Sequence, residues 1–431
     1  MRLVSPFPLF VLLLATVSSA QQRPQELVRE AGPEEQARVQ TKLGPQFRVL
    51  ETAHFRVISD TSPRYHTVVS GVIEQFYQQV RPRFFEHDIE RLPFYLINGG
   101  VDFERFMRQR GLDGTSFGLY DPRTRSLYAH RYFPDGRESG VGTLFHETIH
   151  AMIQAEFGAF EAAPTWFHEG FASLFEAGRI LRGSWVYGNP NPWRETPFRA
   201  AFEAGRVPSL STFFALPNAA FQASKEERDL YYNTGRSLFL YVLLSHGEPA
   251  LRQFIQSLRS GESATRALEK ATGLSLAQIE AGWHESIRRV NFGGDYLNRG
   301  TGPKALEILL AGVKEHPGYG NLRVQLATEY LRRGDRERAL EHDRAALQDP
   351  RCILPQVADS VIARAVIGTN ALEAARALSD ALSYQPWNEQ VMDGDFELLA
   401  SMFERVGDQR RSTELRTELD RLTNLDRSPT R

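Results

Sequence analysis

The sequence predicts an α+β domain followed by an all-α domain of helical repeats. Three observations carry this. Residues 47–110 alternate strand-like and helix-like apolar patterns, and residues 196–290 keep helical apolar spacing almost throughout. Residues 320–350 then read as a helix–turn–helix unit with small residues at fixed places. A chain of 431 residues is long enough for two or three domains with sizeable cores.

Taken in order, the first twenty residues read as an export signal rather than as part of the fold. Arg2 supplies a short basic region, and Phe7 to Val17 an apolar core too short to span a bilayer. Ser18, Ser19 and Ala20 are small residues before a cut near Gln21. The mature chain is therefore expected to be exported, periplasmic or extracellular. No later segment reaches 18 consecutive apolar residues, so no stable membrane span is expected in it. Residues 21–46 are polar, mixed in charge and interrupted by Pro24, Pro33 and Pro45, and read as a linker with at most one short helix.

The first folded segment is expected over residues 47–292. Residues 47–60 alternate apolar and polar positions, as a strand pair or one bent strand does. Val68, Val72, Ile73, Phe76 and Val80 give Tyr65–Phe85 helical spacing. Leu92–Ile97 reads as a strand and Val101–Arg110 as a helix. Phe117–Tyr120 and Ser126–Arg131 read as two short strands joined by the turn Asp121-Pro122-Arg123-Thr124. Leu276–Val290 closes the helical part.

Composition narrows the function classes. The chain is 42% hydrophobic and 24% charged, with 51 basic against 53 acidic residues. A net charge of −2 makes no electrostatic case for nucleic acid or for an anionic membrane. Cys352 stands alone, so an intramolecular disulfide is excluded, and it reads as a small, half-buried apolar side chain rather than a catalytic thiol.

The chemistry concentrates in LFHETIHAM, residues 144–152. His146-Glu147-Thr148-Ile149-His150 is a His-Glu-x-x-His pattern. On a helix, positions i and i+4 share a face one turn apart, so both imidazoles can reach one zinc ion. Glu147 is rotated about 100° from His146 and can address water at the metal as general base. Gly140, Gly142 and Thr143 are start signals, with Thr143 the expected N-cap, and Gly158 ends the helix. A surface helix with two solvated histidines would satisfy the same spacing. Residues 164–176, PTWFHEGFASLFE, add a second helix with an aromatic stripe. Glu169 follows His150 after 18 intervening residues and would complete a His146, His150, Glu169 ligand set, leaving a fourth position open. Gly170 would let the two helices approach closely. An exposed helix carboxylate is the plainer fate of a glutamate, but it leaves the aromatic surroundings unexplained. His168 lies about 100° round the helix from Glu169 and reads as a core or solvated histidine. Ser173 and Glu176 are candidate outer partners of a ligating imidazole.

These residues resemble the gluzincin metallopeptidases, in particular their peptidase MA-like branch. The resemblance rests on HETIH, the glutamate 18 residues on, and a Trp-x-x-Glu-Gly-Phe-Ala run (Trp166 to Ala172) similar to that of aminopeptidase N-type enzymes. It implies a small mixed sheet before the zinc helix and a helical lobe holding the glutamate. It implies His146, His150 and Glu169 as zinc ligands, one catalytic zinc, and Glu147 as general base. In that group a Tyr-x-x-Gly run lies some sixty residues after the third ligand, and its hydroxyl donates to the oxyanion. Here Tyr232-Asn233-Thr234-Gly235 begins 63 residues after Glu169. A buried tyrosine bonded to backbone would fit the same four residues, and Tyr231 is its neighbour. The group's Gly-x-Met-Glu-Asn loop, which holds a substrate's free amine, does not occur. Residues 116–133 stand in its place, and one of their strands could pair with an extended peptide.

Residues 293–425 are expected to form helical repeats. Ala327, Tyr330, Gly334, Asp335, Ala339, Leu340, Ala346 and Pro350 have tetratricopeptide-like spacing. Partial matches run from Tyr296 to Pro317 and from Val357 to Pro386, and Phe396–Leu422 is the expected capping pair. The unit is either a groove for a protein partner or a buttress for the preceding domain. The resulting expectation is a zinc-dependent hydrolase acting on a peptide or protein, an endopeptidase rather than an aminopeptidase. The alternatives are a catalytically silent scaffold that binds protein through its repeats, and a zinc amidase acting on a non-protein substrate.

Overall fold

The computed structural model describes residues 24–114, 117–132, 141–181, 184–188, 191–289, 296, 300, 302–346, 397, 399–401, 403–405 and 407–427. The expected export signal, Cys352 and the repeat match over 357–386 lie outside the described residues.

The fold is mixed α and β, with one six-stranded sheet and many helices. The alternating patterns of residues 47–60 make two strands, β2 (Arg48–Glu51) and β3 (Phe55–Ser59), antiparallel with Val49 opposite Ile58. Helix α2 (Pro63–Phe84) then carries the chain to β4 (Leu92–Gly99), which lies parallel to β3. Helix α3 (Gly100–Arg108) follows, then β5 (Gly118–Asp121) and β6 (Ser126–Tyr132). Strand β6 is parallel to β4, and β5 is its antiparallel neighbour at the sheet edge. The turn between β5 and β6 puts Arg125 at φ 48°, and the Asp121 carboxylate accepts from Arg123 N and Thr124 Oγ1.

Residues 21–46, expected as a linker, are built into this layer from Pro24 onward. Strand β1 (Arg29–Glu30) pairs with β2, and helix α1 (Pro33–Leu43) covers the sheet. Gln36 fixes that helix by donating to Phe47 O at 2.8 Å and accepting from Val49 N at 2.9 Å. The polar composition concealed this because Val39 is the one buried residue of α1, and the amide-to-backbone bonds of Gln36 add to its attachment.

The pleat separates two cores. Phe55, Val57, Phe94, Leu96 and Leu127 face α2, whose Val69, Val72, Ile73 and Phe76 are wholly buried. Val49, Ile58, Ile97 and Tyr128 face the other way, against Val39 of α1 and Phe103, Phe106 and Met107 of α3. Helix α4 (Gly142–Phe157) lies on the α2 side and is buried nearly all round. Beyond it stand α5 (Thr165–Ala172), α6 (Pro192–Glu203), α7 (Leu210–Phe214), α8 (Lys225–Arg259), α9 (Ala264–Thr272) and α10 (Leu276–Arg289). Helix α8 bends at Gly247, whose φ is 79°. A two-stranded hairpin, β7 (Arg179–Leu181) with β8 (Ser184–Val186), was not foreseen. Its Trp185 wedges between Phe76 and Phe145, at ring distances of 5.0 and 4.6 Å.

Two capping expectations are corrected. Val141 occupies the N-cap of α4 without a side-chain bond, and the Thr143 methyl packs over Gly118 instead. Helix α5 stops at Ala172 rather than running to Glu176, and turns carry residues 173–177.

Helices α11 (Ala305–Glu315), α12 (Gly320–Arg332) and α13 (Arg336–Ala346) follow. Leu322, Leu326, Ala327, Tyr330 and Ala339 pack together with Leu309, and Gly334 turns the chain at φ 82°. The last helix, α14 (Gln409–Arg427), packs on α2, and its Leu419 and Leu422 join the core of the sheet. Among the described residues no helix is long and apolar enough to cross a membrane.

Candidate metal centre

Helix α4 carries His146, Glu147 and His150, all less than a tenth exposed. Its start is fixed by close packing: a Cβ on Gly142 would overlap the Glu176 carbonyl. Helix α5 brings Glu169 to the same place from the opposite side. His146 Nε2 lies 3.2 Å from Glu169 Oε2, and His150 Nε2 lies 3.7 Å from Glu169 Oε1. A tetrahedral ion with ligand bonds of about 2.0–2.1 Å holds its ligand atoms about 3.3 Å apart. The ligand-capable atoms of His146, Glu147 and His150 also lie within 4.8 Å of one another, so this buried group could hold a metal ion. The two glutamates are nonetheless held differently. Glu147 Oε2 accepts from Tyr120 N at 2.8 Å, which ties its carboxylate to edge strand β5, whereas Glu169 faces both imidazoles.

The charge balance fits a cation. Glu147, Glu169 and Glu176 are opposed at the site by the guanidinium of Arg194, which leaves two negative charges if all three acids ionise. Burying unbalanced carboxylates is costly, so the site favours a bound positive charge. Without an ion, His146 supplies part of it. Burial disfavours its charged form, but Glu169 and Glu176 outweigh burial and raise its pKa to about 10. Burial would raise Glu169 too, yet His150 and His146 bring it down to about 2. Burial lowers His150 to about 3, leaving a neutral imidazole, the form that binds metal. Glu147 moves up to about 7 through burial, partly offset by His146. A carboxylate near neutrality suits proton transfer at neutral pH.

Glu176 reaches His146 from the turn after α5. Its Oε1 is 3.0 Å from His146 Nδ1, an ion-pair distance rather than an aligned hydrogen bond. Ser173 Oγ is buried and makes no hydrogen bond to either imidazole among the described residues, and its carbonyl accepts from Arg236 Nε. Ser173 still closes the last turn of α5, its N–H donating to Glu169 O at 3.0 Å, but turns then carry the chain to Glu176, so helical spacing does not relate that residue to Glu169. His168 is 1% exposed and its Nε2 bonds Phe160 O at 2.9 Å; burial lowers its pKa to about 4.

Tyr232 arrives on α8. Its hydroxyl stands beside the Glu169 carboxylate, and burial together with that charge raises its pKa strongly. The Tyr231 ring lies 5.5 Å from Phe221, and the Tyr232 ring lies 6.2 Å from the same phenylalanine. Gly170 makes its close approach to this helix, not to α4 as the sequence suggested. A Cβ on Gly170 would lie 2.6 Å from Gly235 Cα. The reason is that α5 crosses α8 through its glycine face while its Glu169 face meets α4.

Sequence reasoning missed Tyr120 and Arg194. The first contributes a backbone N–H, which no side-chain pattern reveals. The second sits in the first turn of α6, with no fixed spacing to either histidine. No protein-family model matches the chain, and no curated protein matches it.

Proposed function

We propose that the protein is a zinc-dependent peptidase of the gluzincin kind, cleaving within peptide chains rather than at their amino end. The single observation that carries this reading is the convergence of His146 Nε2, His150 Nε2 and the Glu169 carboxylate at 3.2 and 3.7 Å, with Glu147 buried beside them. His146, His150 and Glu169 would hold the ion, which supplies Lewis acidity to a water and to the scissile carbonyl. Glu147, tethered by Tyr120 N, takes the proton of the attacking water and passes it to the leaving nitrogen. The Tyr232 hydroxyl donates to the oxygen that gains negative charge. Glu176 and Arg194 steady His146 from behind.

Edge strand β5 supports a peptide substrate. It borders the site, and an extended chain can add to such an edge. The absence of the amine-binding Gly-x-Met-Glu-Asn sequence favours internal cleavage. Helices α11–α13 are proposed to be tetratricopeptide-like, and the packing of α14 on α2 favours a buttressing role for the end of this region.

The test is cleavage of an unstructured peptide library by the zinc-loaded protein, read by mass spectrometry beside Glu147→Gln. The variant should bind zinc as wild type does and lose roughly 100- to 10,000-fold in rate. Folded wild-type protein that takes up no zinc would overturn the site. Full zinc occupancy with no cleavage by either form would favour a silent scaffold.

A further inference from the structure

We infer that Arg194 is a positioning residue for the metal centre, holding the carboxylate behind His146 with one side of its guanidinium group and bracing the Tyr232 ring with the group as a whole. The inference rests on the proposed reading of the site as a zinc centre.

Arg194 is 8% exposed, in the first turn of α6. It grips Glu176 with a fork: Nη2 is 2.6 Å from Oε1 and Nε is 3.0 Å from Oε2. Such paired bonds fix the plane of a carboxylate as well as its position. Asn191 Nδ2 adds a third donor to Oε2 at 3.1 Å. Glu176 Oε1 is therefore shared between Arg194 and His146 Nδ1, 3.0 Å away. The carboxylate that faces one candidate ligand is thus held by an arginine 48 residues later in the chain than that ligand. The same guanidinium lies 5.7 Å from the centre of the Tyr232 ring. One side chain touches both the support of a metal ligand and the ring of the proposed oxyanion donor.

The turn that presents Arg194 is itself braced against the Tyr232 helix. Glu195 Oε1 accepts from Arg236 Nη1 at 3.2 Å and from Asn191 N at 2.9 Å. Arg236 is one helical turn after Tyr232, and its Nε donates to Ser173 O at 3.3 Å. The segment bearing Glu176, the start of α6 and the middle of α8 are tied to one another at the point where each meets the site.

The test uses the full chain with zinc, comparing Arg194→Met, Arg194→Lys and Arg199→Met. Arg199 anchors the same helix to α10 through Ile287 O at 2.6 Å and makes no hydrogen bond to Glu176 or Tyr232. Zinc affinity is read by competition with a chelator, and the visible spectrum of the cobalt-substituted protein reports ligand geometry. Arg194→Met should weaken zinc binding about 10- to 100-fold and shift the cobalt bands. Turnover on a cleaved peptide should fall through kcat with KM unchanged. Arg194→Lys keeps the charge without the fork, and should recover part of the affinity while still altering the cobalt spectrum. Arg199→Met should lower the melting temperature and leave zinc affinity within about twofold, the small effect expected where no metal-supporting contact is lost. Wild-type affinity and spectrum in folded Arg194→Met or Arg194→Lys would overturn the inference and leave the peptidase reading standing. An equal loss in Arg199→Met would also overturn it, because the effect would then be general loosening of α6. Zinc binding without peptide cleavage would end the peptidase reading while the affinity and spectral results still decide the role of Arg194.

Discussion

Gly170 and Gly235 meet backbone to backbone where α5 crosses α8. A Cβ on Gly170 would stand 2.6 Å from Gly235 Cα, and one on Gly235 would stand 2.8 Å from Gly170 Cα and 3.0 Å from Trp166 O. Gly170 follows Glu169, and Gly235 is three residues after Tyr232. The crossing therefore fixes how near the tyrosine hydroxyl comes to the glutamate. Gly235→Ala should force the helices apart and cost roughly 1–3 kcal/mol, the usual range for overpacking. Chemical denaturation measures the loss. Turnover should fall further than stability explains, because Tyr232 moves with α8. A variant with unchanged stability would show that the crossing has slack.

Tyr232→Phe removes one hydroxyl and leaves the ring over which Arg194 lies. If the hydroxyl supports the oxyanion, kcat should drop by roughly 100- to 1,000-fold with zinc content and KM unchanged. Steady-state kinetics beside metal analysis decide this, and a loss confined to KM would assign the tyrosine to substrate binding instead.

His168 and Glu169 are chain neighbours with opposite expected behaviour. Glu169→Gln should abolish tight zinc binding, since it removes the carboxylate that faces both Nε2 atoms. His168→Gln should keep one zinc per chain and cost about 1–3 kcal/mol, because a buried bond to Phe160 O is lost. Metal analysis after dialysis, with thermal melts, separates the two. Zinc loss in the histidine variant would put His168 in the ligand set.

Glu156 governs part of the acid stability. Burial alone would raise its pKa, but the N–H groups of His87 and Glu86, together with His87 and Arg259 side chains, bring it below the ordinary value of 4.5. A depressed native pKa contributes stability that is fully present above the unfolded value and is lost as pH falls through the native one. The wild type should lose stability as pH drops below about 4.5, and Glu156→Gln should show a shallower fall from a lower starting point. Melts between neutrality and pH 3 measure both curves. Parallel curves would assign the acid sensitivity to other carboxylates.

The parts of this protein that could be read in advance are those written in short-range periodicity. Alternation over residues 47–60 appears as β2 and β3, and the four-residue separation of His146 and His150 appears as two imidazoles on one face of α4. Glu169 was legible because the motif that carries it has a fixed gap. The first turn of α6 had no such signature. Arg194 meets Glu176 across 18 residues and Arg236 meets Glu195 across 41, and nothing local predicts either pair. Likewise Gln36, in a stretch too polar to suggest a fold, secures α1 by bonding backbone atoms of residues 47 and 49.

The sequence by itself determined the chemistry on offer: two imidazoles, a neighbouring glutamate, a second carboxylate and a tyrosine, each on a helix that its own apolar spacing dictates. Helical spacing is a local property, set by backbone geometry and side-chain patterning within a few turns. Only the tertiary structure decided which glutamate faces both histidines, which one is tied to Tyr120 N, and that Arg194 stands behind His146. Those choices depend on where helices cross and on which buried charges find partners, and both are settled only when the whole core closes.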